Sequence, residues 1–589
     1  MGKITKFKTD PEHYYNLGIE KAENGEYIAG LEFLSRAERL GFSQDKYNLA
    51  CVDFLNFIQS ARFGPSDGII MGIRFERSEI YARMGLLREA NKELFKIASD
   101  EFSHDEIFYC LIKNFIIMDM PKEAAFYLNL GLEKGILDEM DGFGPIDIEE
   151  VTKQNTIRFV GGSTSEQTLN AAKQLIASND MQMAKKILLD IKEDSREYLD
   201  AIKCLALIAY DEKDYKLGIN YLEKAHKINN EDVDILLSKV LGYEFLEQNE
   251  DAQKLIEHID KIEFCDIDAY AKLAMRSATK NEPQRVKKYS DRVLKEFEFD
   301  KEILILNALA NYALGNKPLA KNAIVKACIV YPDDYNIFFF AKLIDEATAK
   351  IPLSVDLPLK LQKSLTKIVE SGLKDIKDEG EFITLMIENA QFRNAVFWGF
   401  FNSNSSLQAY LADYLSKHGT IGYTMVSDFL LDTTKPLHLK KTIFLNILKR
   451  GVAQFVHVVV NNQFLSFSAR TPKFTQDKTM IDAYNTVFAS LAFIQQNFEK
   501  KLKQAFKKFV EATTVLTKRK KPKDHLNAIA AVIAYSSRLN KIFLEISDCC
   551  EIFGCKEDDF LLYYNQIKPF MEKKKTLKRV VKKQKGQNI

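Results

Sequence analysis

The stretch LDAIKCLALIAYDEKDYKLGINYLEKAHKINNED, residues 199–232, decides the fold. It predicts two antiparallel helices joined by a tight turn, with Leu205 and Ala206 in the first and Gly218, Leu222 and Ala225 in the second. Its pattern recurs every 34 residues, first as the small residues Ala172, Ala206, Val240, Ala274 and Ala308. Twelve residues further on stand Ala184, Gly218, Ala252, Val286 and Ala320, and seven beyond those Ile191, Ala225, Ile259, Val293 and Ala327. Three columns therefore hold one register through five units, over about 165–334. A single hairpin cannot bury its apolar face, so stacking must supply the core. Small residues mark where helices approach closely, while Leu205, Leu222, Leu273 and Ile324 fill the remaining space.

Working outward, weaker copies of the pattern precede the array. The first unit is YYNLGIEKAENGEYIAGLEFLSRAERLGF (14–42), and further units lie around Tyr81–Ala98 and Leu111–Gly131, where Ala90 pairs with Ala124. The segment KYNLACVDFLNFIQ (46–59) has the form of half a unit. These units resemble the tetratricopeptide family, whose pattern is an aromatic, Leu-Gly, a turn Gly, a Tyr and Ala-rich second-helix sites, often closed by Pro. Tyr14, Leu17, Gly18, Gly25, Tyr27 and Ala37 fall on those sites, as do Ala308, Gly315, Ala320, Ala327 and Pro332. The resemblance covers roughly 11–134 and 165–334 and implies an all-α helical-hairpin superhelix that binds other proteins.

That resemblance also implies a peptide groove on the inner face of the first helices. The matching positions are Leu169, Lys173, Lys203, Leu207, Tyr210, Leu237, Leu241, Met275, Ile305, Leu309 and Tyr312. They would form an apolar floor for an extended or helical partner peptide; packing of hairpin on hairpin is the alternative use of the same residues. Glu166, Asp200, Asp234, Asp268 and Glu302 form an acidic column at the same period, placed in the first turn of each first helix. An N-terminal dipole accounts for acid there at about 0.3–1 kcal/mol each; an acidic edge selecting a basic ligand is the functional alternative. The Lys and Asn clamp by which some family members hold a chaperone's acidic tail is not matched, since Tyr15, Ile19, Leu169 and Lys173 stand at the sites compared.

The Gly- and Pro-containing segment 135–164 predicts a linker or cap between an N-terminal array (1–134) and the main array (165–334). Helical patterns continue over 335–495. There Thr434, Pro436 and Gly451 are suited to the cap, first turn and exit of one helix. In QFVHVVVNNQFLSFSAR (454–470), Asn461-Asn462 suits the turn of a two-residue β-hairpin. Residues 496–572, with AIAAVIAYSSRLN at their centre, resemble a cyclin-type repeat ending in a helix-turn-helix, and 573–589 form a basic tail.

The chain has 589 residues and a formal net charge of +1, but from Lys500 onward 22 Lys and Arg oppose only 9 Asp and Glu. That asymmetry makes nucleic acid the alternative partner, through Lys518, Arg519, Lys520, Lys521 and Lys523. Lys556, Glu557, Asp558 and Asp559 open the last helix, and their carboxylates would repel phosphate. Apolar runs such as Ile337–Ala341 are far shorter than a membrane span, and the first residues lack the apolar core of a secretory signal. The eight cysteines follow no disulfide framework, which points to a reducing, cytoplasmic setting. No Walker loop, GxGxxG, HExxH or GxSxG occurs, and Cys549, Cys550 and Cys555 lack zinc-site spacing. The expectation is a non-enzymatic scaffold without cofactor or metal.

Overall fold

The structure is a computed structural model. It describes residues 10–60, 67–100, 105–137, 164–177, 181–347, 350–417, 420–451, 455–468, 474–493, 498–516, 526–537, 546–565 and 568. Among these the fold is helical throughout, apart from one two-stranded sheet. The chain divides into two compact units, one of residues 119–358, the other of residues 1–118 together with 359–589.

The 119–358 unit holds the repeat array. Its hairpins are Thr164–Ala177 with Met181–Leu188, Tyr198–Asp211 with Tyr215–Ile228, Val233–Phe245 with Asn249–Ile259, Ile267–Thr279 with Pro283–Leu294, and Lys301–Ala313 with Lys317–Val330. The helix Tyr335–Asp345 continues the register beyond the expected end of the array, as a first helix one period after Lys301–Ala313. All fifteen residues of the three small-residue columns are buried. This is the steric reason the columns exist: a larger side chain there would force the helices apart.

The turns inside the last four hairpins share one geometry. Lys213, Glu247, Asn281 and Gly315, each 34 residues from the last, adopt left-handed backbone with φ of 63°, 59°, 57° and 81°. In each, the next N–H returns to the helix five residues back: Asp214 to Ala209, Gln248 to Tyr243, Glu282 to Ser277 and Asn316 to Asn311, at 2.8–3.0 Å. These are Schellman closures, which satisfy carbonyls left open at a helix end.

The other unit joins both ends of the chain. Helix Leu87–Asp100 of the N-terminal part packs against Thr420–Leu431, and the Phe95 ring stacks on Phe464 with centroids 6.5 Å apart. Its β-hairpin pairs Phe455–Val460 with Gln463–Ser468 in antiparallel register, Val460 opposite Gln463. Asn461 and Asn462 form the two-residue turn with φ of 48° and 59°, the left-handed pair that such a turn demands. Behind it lies an aromatic core. Phe444 sits 5.5 Å from Phe467, and Phe488 sits 5.0 Å from Phe498.

The helix Leu437–Arg450 ends at Gly451 in left-handed backbone (φ 62°), as expected, but Thr434 does not cap it. The cap position is Pro436, and the Thr434 hydroxyl donates instead to Asp432 at 2.7 Å. In the same helix Lys440 is 2% exposed and donates to the Val459 carbonyl at 2.6 Å. Burial pushes its ammonium down to about 8. Trp398 is 2% exposed and belongs to this unit's core.

The candidate partner-binding face of the array

What positions this face is a second periodic column, absent from the sequence-based expectations. Asp232, Asp266, Asp300 and Asp334, each 34 residues apart, are the N-caps of successive first helices. Their carboxylates accept from the N–H groups of Asp234, Asp268, Ile303 and Asn336 at 2.9–3.0 Å. Each cap fixes where its helix starts, and so which side chains share the outward stripe. Asp200, Asp234, Asp268 and Glu302 then fall in the first turn, where the acidic column was expected. Glu166 lies in the helix Thr164–Ala177, but its side chain is outside the described residues.

The expected groove residues separate by exposure. Leu207, Leu241 and Met275 occupy equivalent sites on three successive first helices and are 53%, 42% and 42% exposed. Lys173 is exposed, while Lys203, Leu237 and Tyr312 are half-buried. Leu169, Tyr210, Ile305 and Leu309 are buried and belong to the core instead. For Tyr210 the reason is explicit. Its ring fills the space that a Cβ on Gly218 or Gly242 would take, and its hydroxyl donates to the Ser238 carbonyl of the next hairpin at 2.9 Å. Burial raises that hydroxyl well above the usual tyrosine range.

Phe245 was not among the expected positions. Phe245, 47% exposed, stands one helical turn after Leu241 and stacks on Tyr215 with centroids 4.6 Å apart. The signal was its i,i+4 spacing from Leu241, which sets both on one side of the helix.

Charge along the face is largely self-neutralised. Lys173 pairs with Asp200 at 2.9 Å, Lys203 with Asp232 at 3.0 Å, and Lys272 with Asp234 at 2.7 Å. Glu244 takes both Arg276 at 2.7 Å and Lys280 at 2.8 Å. Every one of these pairs links neighbouring hairpins. Burial alone would push the Asp232 carboxyl up, but the Lys203 ammonium and the backbone N–H groups of Ile235 and Asp234 hold it below its ordinary value. Burial likewise opposes charge on Lys203, yet its three neighbouring carboxylates raise it overall. The acidic edge is therefore already occupied by the array's own cations at Asp200 and Asp234.

Lys518, Arg519, Lys520, Lys521 and Lys523 lie outside the described residues, as does the tail 573–589. Among the described residues no group of three or more His, Cys, Asp or Glu side chains could hold a metal ion. No described helix is long and apolar enough to cross a membrane.

No known protein family matches the chain, and no curated protein does. Among solved structures, the crystal structure of yeast Tom70 is similar at 13% identity over 98% of this chain and 99% of that one, with a TM-score of 0.20. The crystal structure of the P58(IPK) TPR domain is similar at 10% identity over 86% of this chain and 99% of that one, with a TM-score of 0.16. At such scores the likeness adds nothing to the fold, which stands on the chain's own period, its repeated Schellman turns and its buried small-residue columns. By that geometry, residues 164–345 form an all-α array of helical hairpins with a 34-residue period.

Proposed function

We propose that the chain is a protein-interaction scaffold whose array binds an apolar segment of a partner across Leu207, Leu241, Phe245 and Met275. One observation carries this reading: three large apolar side chains stay exposed in register on consecutive repeats, on a face most of whose charges are mutually paired. Equivalent sites on packed helices repeat at about 10 Å, which suits aliphatic anchors spaced along an extended or helical peptide. Affinity then comes from burying those anchors, at about 0.8 kcal/mol per methylene, and not from net charge. Because the nearby carboxylates and ammonium groups are already paired, binding depends only weakly on salt.

The test is selection of displayed random peptides against the full chain. Peptides with two or three spaced aliphatic or aromatic residues are expected to be enriched. Their affinity should fall at least about tenfold with Leu241→Glu or Met275→Glu, a loss on the order of 1.4 kcal/mol. It should be unchanged by Lys254→Glu on a second helix. Enriched peptides that ignore all three substitutions, or that are highly charged and released by moderate salt, would sink the proposal.

A further inference from the structure

The turn that ends the helix Ile546–Phe553 repeats the backbone of the array's turns. Gly554 is left-handed with φ 64°, and the Cys555 N–H donates to the Cys550 carbonyl at 2.9 Å. A Schellman closure brings the side chains of these two positions together. In the array the equivalent pairs are Ala209 with Asp214, Tyr243 with Gln248, Ser277 with Glu282 and Asn311 with Asn316. Here both members are cysteine, and the backbone closure between them sets both side chains on one side of the turn. Exposure separates them: Cys555 is half-buried, Cys550 is 5% exposed, and the adjacent Cys549 is 0% exposed.

We propose that Cys550 and Cys555 form a reversible disulfide by exchange with a low-molecular-weight disulfide such as oxidised glutathione. Cys555, the partner that solvent reaches, loses its proton and attacks one sulfur of the oxidant. A mixed disulfide forms at Cys555 and one glutathione thiolate leaves. Cys550 then loses its proton and attacks the Cys555 sulfur, which closes the intramolecular bond and expels the second thiolate. The two cysteine protons end on the two released glutathiones, and the two electrons given up by the protein reduce the oxidant's disulfide.

Exposure sets the order. Burial pushes both thiols up, Cys550 to about 12, while the contact with Cys550 partly offsets that shift at Cys555. Scarce thiolate makes the exchange slow at neutral pH and faster as pH rises. The product ties the helix Ile546–Phe553 to a residue two positions before the helix 557–565, so the bond fixes how the second helix leaves the first.

The experiment uses the full chain equilibrated over a series of reduced-to-oxidised glutathione ratios, quenched in acid and mapped by mass spectrometry without reduction. A peptide linkage between Cys550 and Cys555, short of two hydrogens and reversed by reductant, is expected. Cys550→Ser should accumulate glutathione on Cys555, Cys555→Ser should leave Cys550 unmodified, and Cys549→Ser should behave like the parent. A linkage through Cys549 would overturn the proposal. So would glutathione on Cys550 in the Cys555→Ser chain, or a folded chain whose two thiols stay free at ratios that pair them in the unfolded chain.

Discussion

The array and the unit built from the two chain ends solve the same burial problem with opposite materials. The array uses small residues at a fixed period, so each hairpin offers its neighbour a shallow, repeated surface. The other unit joins residues from 1–118 and 359–589 around large aromatic side chains and encloses a lysine among them. At Gly218 the periodic core has no room for an added methyl group, because the Tyr210 ring fills that space. A non-periodic core can hold a charged group, provided that a carbonyl receives it.

The largest expected effect belongs to that lysine. The Lys440 ammonium is held at about 8 in the folded chain against an ordinary 10.5. The unfolded chain therefore binds a proton that the folded chain has released, so stability rises as pH climbs from about 8 to about 10.5. The total gain should be about 3 kcal/mol. Lys440→Met should flatten this rise. Trp398 is the chain's one tryptophan and lies in this unit, so its fluorescence in denaturant titrations reads the effect.

Next comes Gly218→Ala, which sets a Cβ against the Tyr210 ring. Alanine favours helix by about 1 kcal/mol, yet the overlap should win and cost the array about 2 kcal/mol net. Far-UV circular dichroism during urea unfolding checks this, and Tyr210→Leu should restore much of the loss if the ring is the cause.

Asp232→Ala removes a helix cap and leaves Lys203 with a weaker partner, a loss of about 1 kcal/mol. The folded Asp232 carboxyl sits below its ordinary 3.8, so its contribution is present above that pH and disappears as pH falls through the folded value. The variant should therefore lose less stability than the parent on acidification. The smallest effect is a gain: Lys213→Gly and Glu247→Gly relieve left-handed backbone and should each add about 0.5 kcal/mol to urea stability. If those gains exceed the Gly218→Ala loss, turn strain and not helix approach governs the array.

These columns also show why some of the architecture was legible in the sequence and some was not. The small-residue columns could be read because close helix approach admits few residue types. The hairpin at Asn461-Asn462 could be read because left-handed turns favour asparagine. The turn column holds Lys213, Glu247, Asn281 and Gly315, four chemically unlike residues in one conformation, so no residue-type pattern exposes it. The exposure of the expected groove positions was not legible. Spacing found Leu207, Leu241 and Met275, but Leu169, Tyr210, Ile305 and Leu309 share the same periodicity and are buried. Exposure is a property of neighbours, and a period does not record it. Nor does it record that Phe95 meets Phe464, since contacts between distant segments leave no repeat in the chain.

That long-range pairing has a consequence for the chain as it is made. Residues 1–118 emerge from the ribosome well before the remainder of their compact unit, which begins only at Leu359. At about 5–20 residues per second, translating the intervening segment takes roughly 10 to 50 seconds. The array, whose contacts are mostly between neighbouring hairpins, can fold as it appears. The Phe95 side of the helix Leu87–Asp100 meanwhile stays uncovered until its partners from beyond Leu359 are made.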